Sequence, residues 1–166
     1  MKILLVTNKA GGVDYHRLFV PHNDLAQKGF EVHKANSLEG ATDKEIEGYD
    51  IAVFSRSLSG AGMVKDVADK LRRNGIKIVL DTDDYWHYSK KHLYYADHIA
   101  TKTPEHCIES IIEADYNICT TPILAKKIEE HNKNVIVIEN AIDTTIEQFK
   151  PKDIASNKLR FGWFGS

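Results

Sequence analysis

The stretch Lys2-Ile3-Leu4-Leu5-Val6-Thr7-Asn8-Lys9-Ala10-Gly11-Gly12-Val13-Asp14 decides the fold. Four apolar residues in succession, Ile3 to Val6, break off at Thr7, Asn8 and Lys9, and a glycine pair follows. A short run without alternation reads as a strand buried on both faces, here Lys2–Thr7. Paired glycines permit a tight loop, and a helical pattern opens at Asp14 or Arg17 and ends at Lys28, with Gly29 as its stop. Pro21 lies within that pattern and marks either the true start of the helix or a kinked first turn.

Moving outward, the same unit recurs. Phe30–Lys34, Ile51–Phe54, Ile76–Leu80, Tyr116–Cys119 and Val135–Ile138 are further short apolar runs, each bounded by polar or glycine punctuation. Between them lie helical stretches. One covers Ala61–Asn74 and is closed by Gly75. A second opens at Thr103-Pro104 and carries Cys107, Ile108, Ile111 and Ile112 on one face. A third runs from Thr121-Pro122 to about Glu130. A hydroxyl cap followed by proline is a helix start. Strand and helix in alternation predict an α/β, doubly wound, mostly parallel Rossmann-like sheet with helices on both faces.

The 166 residues suit one such domain, and a net charge of −2 gives no electrostatic footprint for nucleic acid. The two cysteines, Cys107 and Cys119, lack metal or redox spacing and read as thiols in a reducing compartment. The apolar run at the N-terminus is too short for a signal segment or a membrane span. The expected location is the cytoplasm, with peripheral contact at the inner face of the membrane left open.

The tail reads differently. Asn140 to Lys158 is polar and aperiodic, and Leu159-Arg160-Phe161-Gly162-Trp163-Phe164-Gly165-Ser166 resumes a strand and glycine-loop pattern. The division expected is a domain over 1–143, a linker over 144–158, and the start of a second domain over 159–166.

Ligands of doubly wound sheets bind beyond the carboxyl ends of the strands. Three segments fall there. Around Gly11 and Gly12, exposed N–H groups suit an anion, Arg17 suits a bidentate contact, and Tyr15 and His16 flank them. After the fourth run, Asp81, Asp83 and Asp84 crowd three carboxylates into four residues. Such crowding raises a pKa or attracts a cation. Tyr85, Trp86 and Tyr88 stand beside them as stacking surfaces. After the third run, Arg56 faces the same edge. The dinucleotide and P-loop glycine patterns are absent. His22, His33, His92, His98, His106 and His131 show no ligand spacing, so no metal site is expected.

The segment Ala114–Thr121 with Leu124, Ala125 and Ile128, then Val135–Asp143, Phe149 and Pro151, resembles the end of the first domain in group 1 (family four) glycosyltransferases of the GT-B fold. Glu139 and Ala141 depart from that family's usual proline and glycine. The closing Phe161–Ser166 run is similar to the start of its second domain, and Gly11-Gly12 to its first glycine loop. The resemblance implies an enzyme of polysaccharide or glycolipid synthesis, with Asp83 or Asp84 catalytic. Gly11, Gly12, Tyr15, His16, Arg17, Arg56, Asp81 and Trp86 would bind substrate. It implies a nucleotide sugar as co-substrate without other cofactor or metal, a glycan or glycolipid acceptor, retention of configuration, and an inactive isolated half lacking its own C-terminal domain. Two alternatives stand beside it. Ile78-Val79-Leu80-Asp81-Thr82-Asp83 looks like the strand end of a haloacid-dehalogenase-type phosphatase, with Asp81 as nucleophile, Asp83 as acid and Mg²⁺ bound. The other is a non-catalytic sugar- or anion-binding domain.

Overall fold

A computed structural model describes residues 1–7, 12–60, 62–150 and 158. The expected start of a second domain, 159–166, and the glycine-loop residue Gly11 lie outside the described residues.

Six strands form one parallel sheet: β1 (Lys2–Val6), β2 (Glu31–Ala35), β3 (Ile51–Ser55), β4 (Lys77–Thr82), β5 (Tyr116–Cys119) and β6 (Val135–Val137). Their order across the sheet is β2-β1-β3-β4-β5-β6. All six apolar runs are strands, and the doubly wound α/β architecture is as the sequence predicts. The order reverses between β1 and β3, which makes that junction the topological switch point.

Helical segments connect the strands. Between β1 and β2 the backbone runs through α1 (Gly12–Asp14), a π-helical turn (Tyr15–Phe19) and α2 (Val20–Gln27). Pro21 settles at the start of α2, where its missing N–H follows the widened π turn. Gly29 ends this unit in the left-handed region at φ +92°. A single turn, α3 (Asp43–Ile46), precedes β3 and is held by a capping box of Thr42 and Glu45. Next come α4 (Val64–Arg73), α5 (Tyr95–Ala100), α6 (Thr103–Glu113) and α7 (Pro122–Ile128). The sequence pattern misses α3 and α5, which are too short to show a period.

Thr121 caps α7, its hydroxyl accepting from the Leu124 N–H at 3.2 Å. Thr103 does not cap α6. It is already inside the helix, and Lys102 takes the cap position in a left-handed conformation at φ 52°.

The core is unequal on the two faces. Phe54, Ile78, Leu80, Leu71, Ile111 and Ile128 belong to a large buried cluster under α4, α6 and α7. Among the described residues the other face has Ile3, Leu5, Leu18 and Val53 as its buried hydrophobic cluster, under the π turn and α2.

Candidate functional site

β4 is longer than the apolar run that announces it. Its register pairs Ser55 with Asp81, and Asp81 with Ile118, so Asp81 sits within the sheet rather than in the turn after it. The Arg56 N–H donates to the Asp81 carbonyl at 2.8 Å and closes the end of β3 onto β4.

A carboxylate at that depth needs a partner, and Arg17 supplies it. Arg17 Nε donates to Asp81 Oδ1 at 2.8 Å and Nη2 to Oδ2 at 2.7 Å, a bidentate pair. Both side chains are only 8 % exposed. Arg17 Nη1 also donates to the Ile138 carbonyl at 3.0 Å and to Asn140 Oδ1 at 3.1 Å. One side chain on the π turn thus ties together β4 and the segment after β6. Burial alone would lower the Arg17 pKa, but its bonds and attraction to Asp81 raise it. Burial pushes the Asp81 carboxyl up, and Arg17 offsets part of that rise.

Asp83 and Asp84 share a second arginine. Arg56 Nε donates to Asp83 Oδ1 at 2.8 Å, and Nη2 to Asp83 Oδ2 at 3.1 Å and Asp84 Oδ2 at 2.8 Å. Arg56 has a left-handed backbone at φ 64°, a strained setting for a residue with a side chain, and it crosses the end of β4 from there. Its bond to Asp83 raises the Arg56 pKa against the lowering by burial. The crowding of three carboxylates is therefore relieved by two arginines. Among the described residues no group of three His, Cys, Asp or Glu side chains is placed to hold a metal ion.

Between these pairs and the π turn lies a cleft of about 840 Å³. Its walls are largely apolar, with Leu18, Pro21, Leu25, Ile118, Ile138 and Phe149 prominent. Gly12, His16, Arg17, Asp81 and Asp83 line it, as the sequence proposes for ligand contact. Tyr15 stands at the margin, its ring edge-on to His16 at 5.1 Å, and His16 meets Phe149 at 6.3 Å. A smaller hollow of about 390 Å³ between Tyr85, Ile123 and Lys127 meets the cleft at Asp83. Trp86 is elsewhere. It is 4 % exposed and packs in the large core, so its ring presents no stacking surface to a ligand.

The sequence pattern passes over several cleft residues. His22 reads there as an ordinary surface or core histidine, yet it lines the cleft. Its Nδ1 lies 2.7 Å from the Leu18 carbonyl, which can only accept, so Nδ1 carries the proton. Burial lowers the His22 pKa, outweighing the Leu18 carbonyl and Asp81. The ring is then neutral, and Nε2 is an acceptor. The stretch from Glu139 to Asp143, expected as a domain end leading into a linker, is another wall. Only a crossing of β6 over the carboxyl edge reveals that, and no local pattern encodes it. The cysteines stay out of the chemistry. Both are free and buried, and burial pushes the Cys107 thiol up to about 11.

No protein family and no curated protein matches the sequence. The chain is similar to solved receiver domains of response regulators. One is TrrA from Thermotoga maritima in complex with Mg²⁺-BeF, 19 % identical over 79 % of this chain and 98 % of that one, with a TM-score of 0.39. Another is a CheY-like receiver domain from Methanospirillum hungatei, 17 % identical over 65 % and 95 %, TM-score 0.36. A third is the receiver domain of a LuxO-type repressor from Vibrio parahaemolyticus, 16 % identical over 78 % and 88 %, TM-score 0.38. The resemblance to group 1 glycosyltransferases is corrected by these findings. It rested on the residues of 114–151 and the Gly11-Gly12 loop, and the similar solved structures are receiver domains. With it go the glycosyltransferase activity, the polysaccharide role, the nucleotide-sugar co-substrate, and the glycan, glycolipid and C-terminal-domain partners. The phosphatase alternative falls as well, because Asp81 is locked by Arg17 and is no free nucleophile. A sugar- or anion-binding role is corrected too, since the arginines that would hold an anion are already matched by Asp81, Asp83 and Asp84.

Proposed function

We propose that the cleft binds a small, mostly apolar molecule that carries an amine or a comparable hydrogen-bond donor. The observation that carries this reading is the polarity of the cleft's few polar groups. Its volume of about 840 Å³ suits a small organic ligand. Its two guanidinium neighbours are matched internally by carboxylates. Of the other polar groups in its lining, His22 Nε2, Glu139 and Asp143 accept or carry negative charge, and His16 and the Asn140 amide are the groups that can donate. Asp143 is kept ionised, its pKa lowered by the Thr145 hydroxyl and N–H that bond it. Gly12, His16, Arg17, Asp81 and Asp83 shape the walls. Tyr15, Arg56 and Asp84 set the rim. On this reading residues 1–143 form the binding domain, and Phe149 closes its lip. Two buried, unpaired thiols support a cytoplasmic location. No helix among the described residues is long and apolar enough to cross a membrane.

The test is thermal shift and calorimetry with tryptamine and phenethylamine, set against indole-3-propionate and 3-phenylpropionate. The amines should raise the melting temperature by about 5–10 °C at ~100 times their Kd. Asp143→Asn should weaken amine binding by about tenfold, roughly the loss of one charge-assisted bond. Equal stabilisation by the carboxylates, or none by either amine, would sink the proposal.

A further inference from the structure

The two edges of the sheet are built differently. β2 is an edge strand with Glu31, His33 and Lys34 in its sequence, and charges of that kind discourage pairing with another chain. β6 is the opposite edge, and the run Val135-Ile136-Val137-Ile138 carries no charge at all. Ile136 is 49 % exposed and Ile138 50 %.

The backbone of β6 is half used. Asn117 N–H donates to the Asn134 carbonyl, and Ile138 N–H donates to the Cys119 carbonyl. With the parallel register Asn117↔Val135 and Cys119↔Val137, the even-numbered residues therefore face β5. Val135 and Val137 face outward. The Val135 N–H turns back to the Lys133 carbonyl at 3.1 Å. The Val137 N–H and carbonyl and the Val135 carbonyl point to the open side.

The flanks of the run are Lys133 and Glu139, three residues either side of Ile136. Neither makes a side-chain ion pair among the described residues. An antiparallel copy centred on Ile136 would place Lys133 opposite Glu139 twice, Val135 opposite Val137 twice, and Ile136 opposite itself. The outward-facing residues fall into the hydrogen-bonded pairs of that register, each pair joined by the Val137 N–H and the Val135 carbonyl because the Val135 N–H is already given to Lys133, and the unmatched charges meet their opposites. A shift of two residues along the strand would leave Lys133 facing Ala141 and Glu139 facing Val135. Charge and backbone polarity thus select one register and one occupant.

We propose that the chain self-associates through β6, antiparallel about a twofold axis at Ile136, joining the sheets of two copies into one. The symmetry is closed, so association stops at the dimer.

Sedimentation velocity on the chain tests this over about 1–100 µM. The wild type should sediment as a dimer at the upper end. Lys133→Glu and Glu139→Lys each replace two attractive cross-strand pairs by repulsive ones. Each should raise the dimer Kd by about tenfold, at roughly 0.2–1 kcal/mol per pair. The double variant K133E/E139K restores both pairs and should restore the dimer. Ile136→Cys gives an independent reading. Residues facing each other across the axis in a non-hydrogen-bonded position have Cα atoms about 4.5 Å apart, within disulfide reach. Mild oxidation should therefore cross-link I136C and leave the wild type, whose cysteines are buried, unlinked. A wild-type monomer at about 100 µM, a dimer untouched by either single reversal, or an I136C variant that fails to cross-link would overturn the proposal.

Discussion

The two faces of the sheet differ in what covers them, and the difference locates the site. Under α4, α6 and α7 the core is continuous from Leu4 through Phe54 and Ile78 to Ile128. On the other face the π turn and α2 shelter four buried residues. The thick side offers the smaller hollow beside α7, against the larger cleft on the thin side. The thin side leaves Val53 and Ile118 partly for the cleft, and Arg17 bridges the gap with polar contacts instead of packing. One face holds the fold together, and the other has exchanged packing for an opening.

The largest expected effect breaks the thick face. Phe54 is fully buried between β1, β4 and the helices, and Phe54→Ala should cost about 3–5 kcal/mol. For a chain of this length that lowers the melting temperature by about 10 °C or more. Leu18 is as buried as Phe54, but it backs onto the cleft. Water can enter the space it leaves, so Leu18→Ala should cost only about 2 kcal/mol. A Leu18→Ala loss as large as that of Phe54→Ala would show that the thin face is packed as tightly as the thick one.

Between those two lies the polar bridge. Arg17→Met leaves Asp81 buried without its partner, at a cost of about 3 kcal/mol in neutral solution. Adding Asp81→Asn removes the stranded charge and should recover most of the loss in urea titrations. If Arg17→Met unfolds at the same urea concentration as the wild type, the pair does not hold β4 to the end of β6.

How much of this was legible depends on the range of the signal. Ile3 to Val6 and Ile78 to Leu80 announce buried parallel strands because both faces of a strand are written in consecutive residues. Thr121-Pro122 announces α7 because capping is local. Asp81 was visible as part of an acidic cluster, but not as a residue inside the sheet. Its depth is set by the register with Ser55 and Ile118, which lie 26 and 37 positions away. The pairing with Arg17, 64 positions away, is equally silent in the sequence. The glycosyltransferase resemblance failed for a related reason. Its residues around Val135–Asp143 describe a strand at the edge of a doubly wound sheet, and that environment dictates apolar residues and a polar exit whatever the domain does.

The smallest effect sharpens the comparison by pH. His22 belongs to the thin face, and burial depresses its pKa below the ordinary histidine value. An unfolded chain binds its proton near pH 6.5, whereas the folded one resists until lower pH. Below about pH 6.5 the unfolded state therefore takes up more protons, and stability falls as pH drops through the folded value. The contribution is complete above pH 6.5. His22→Gln keeps a polar group near Leu18 and cannot titrate. Melting curves between pH 7.5 and 5 should then fall less steeply for His22→Gln than for the wild type. Amine binding should weaken over the same interval in the wild type, because protonated Nε2 no longer accepts. Parallel pH curves for the two proteins would mean that His22 is as open to water as a surface histidine, and that the thin face is thinner still.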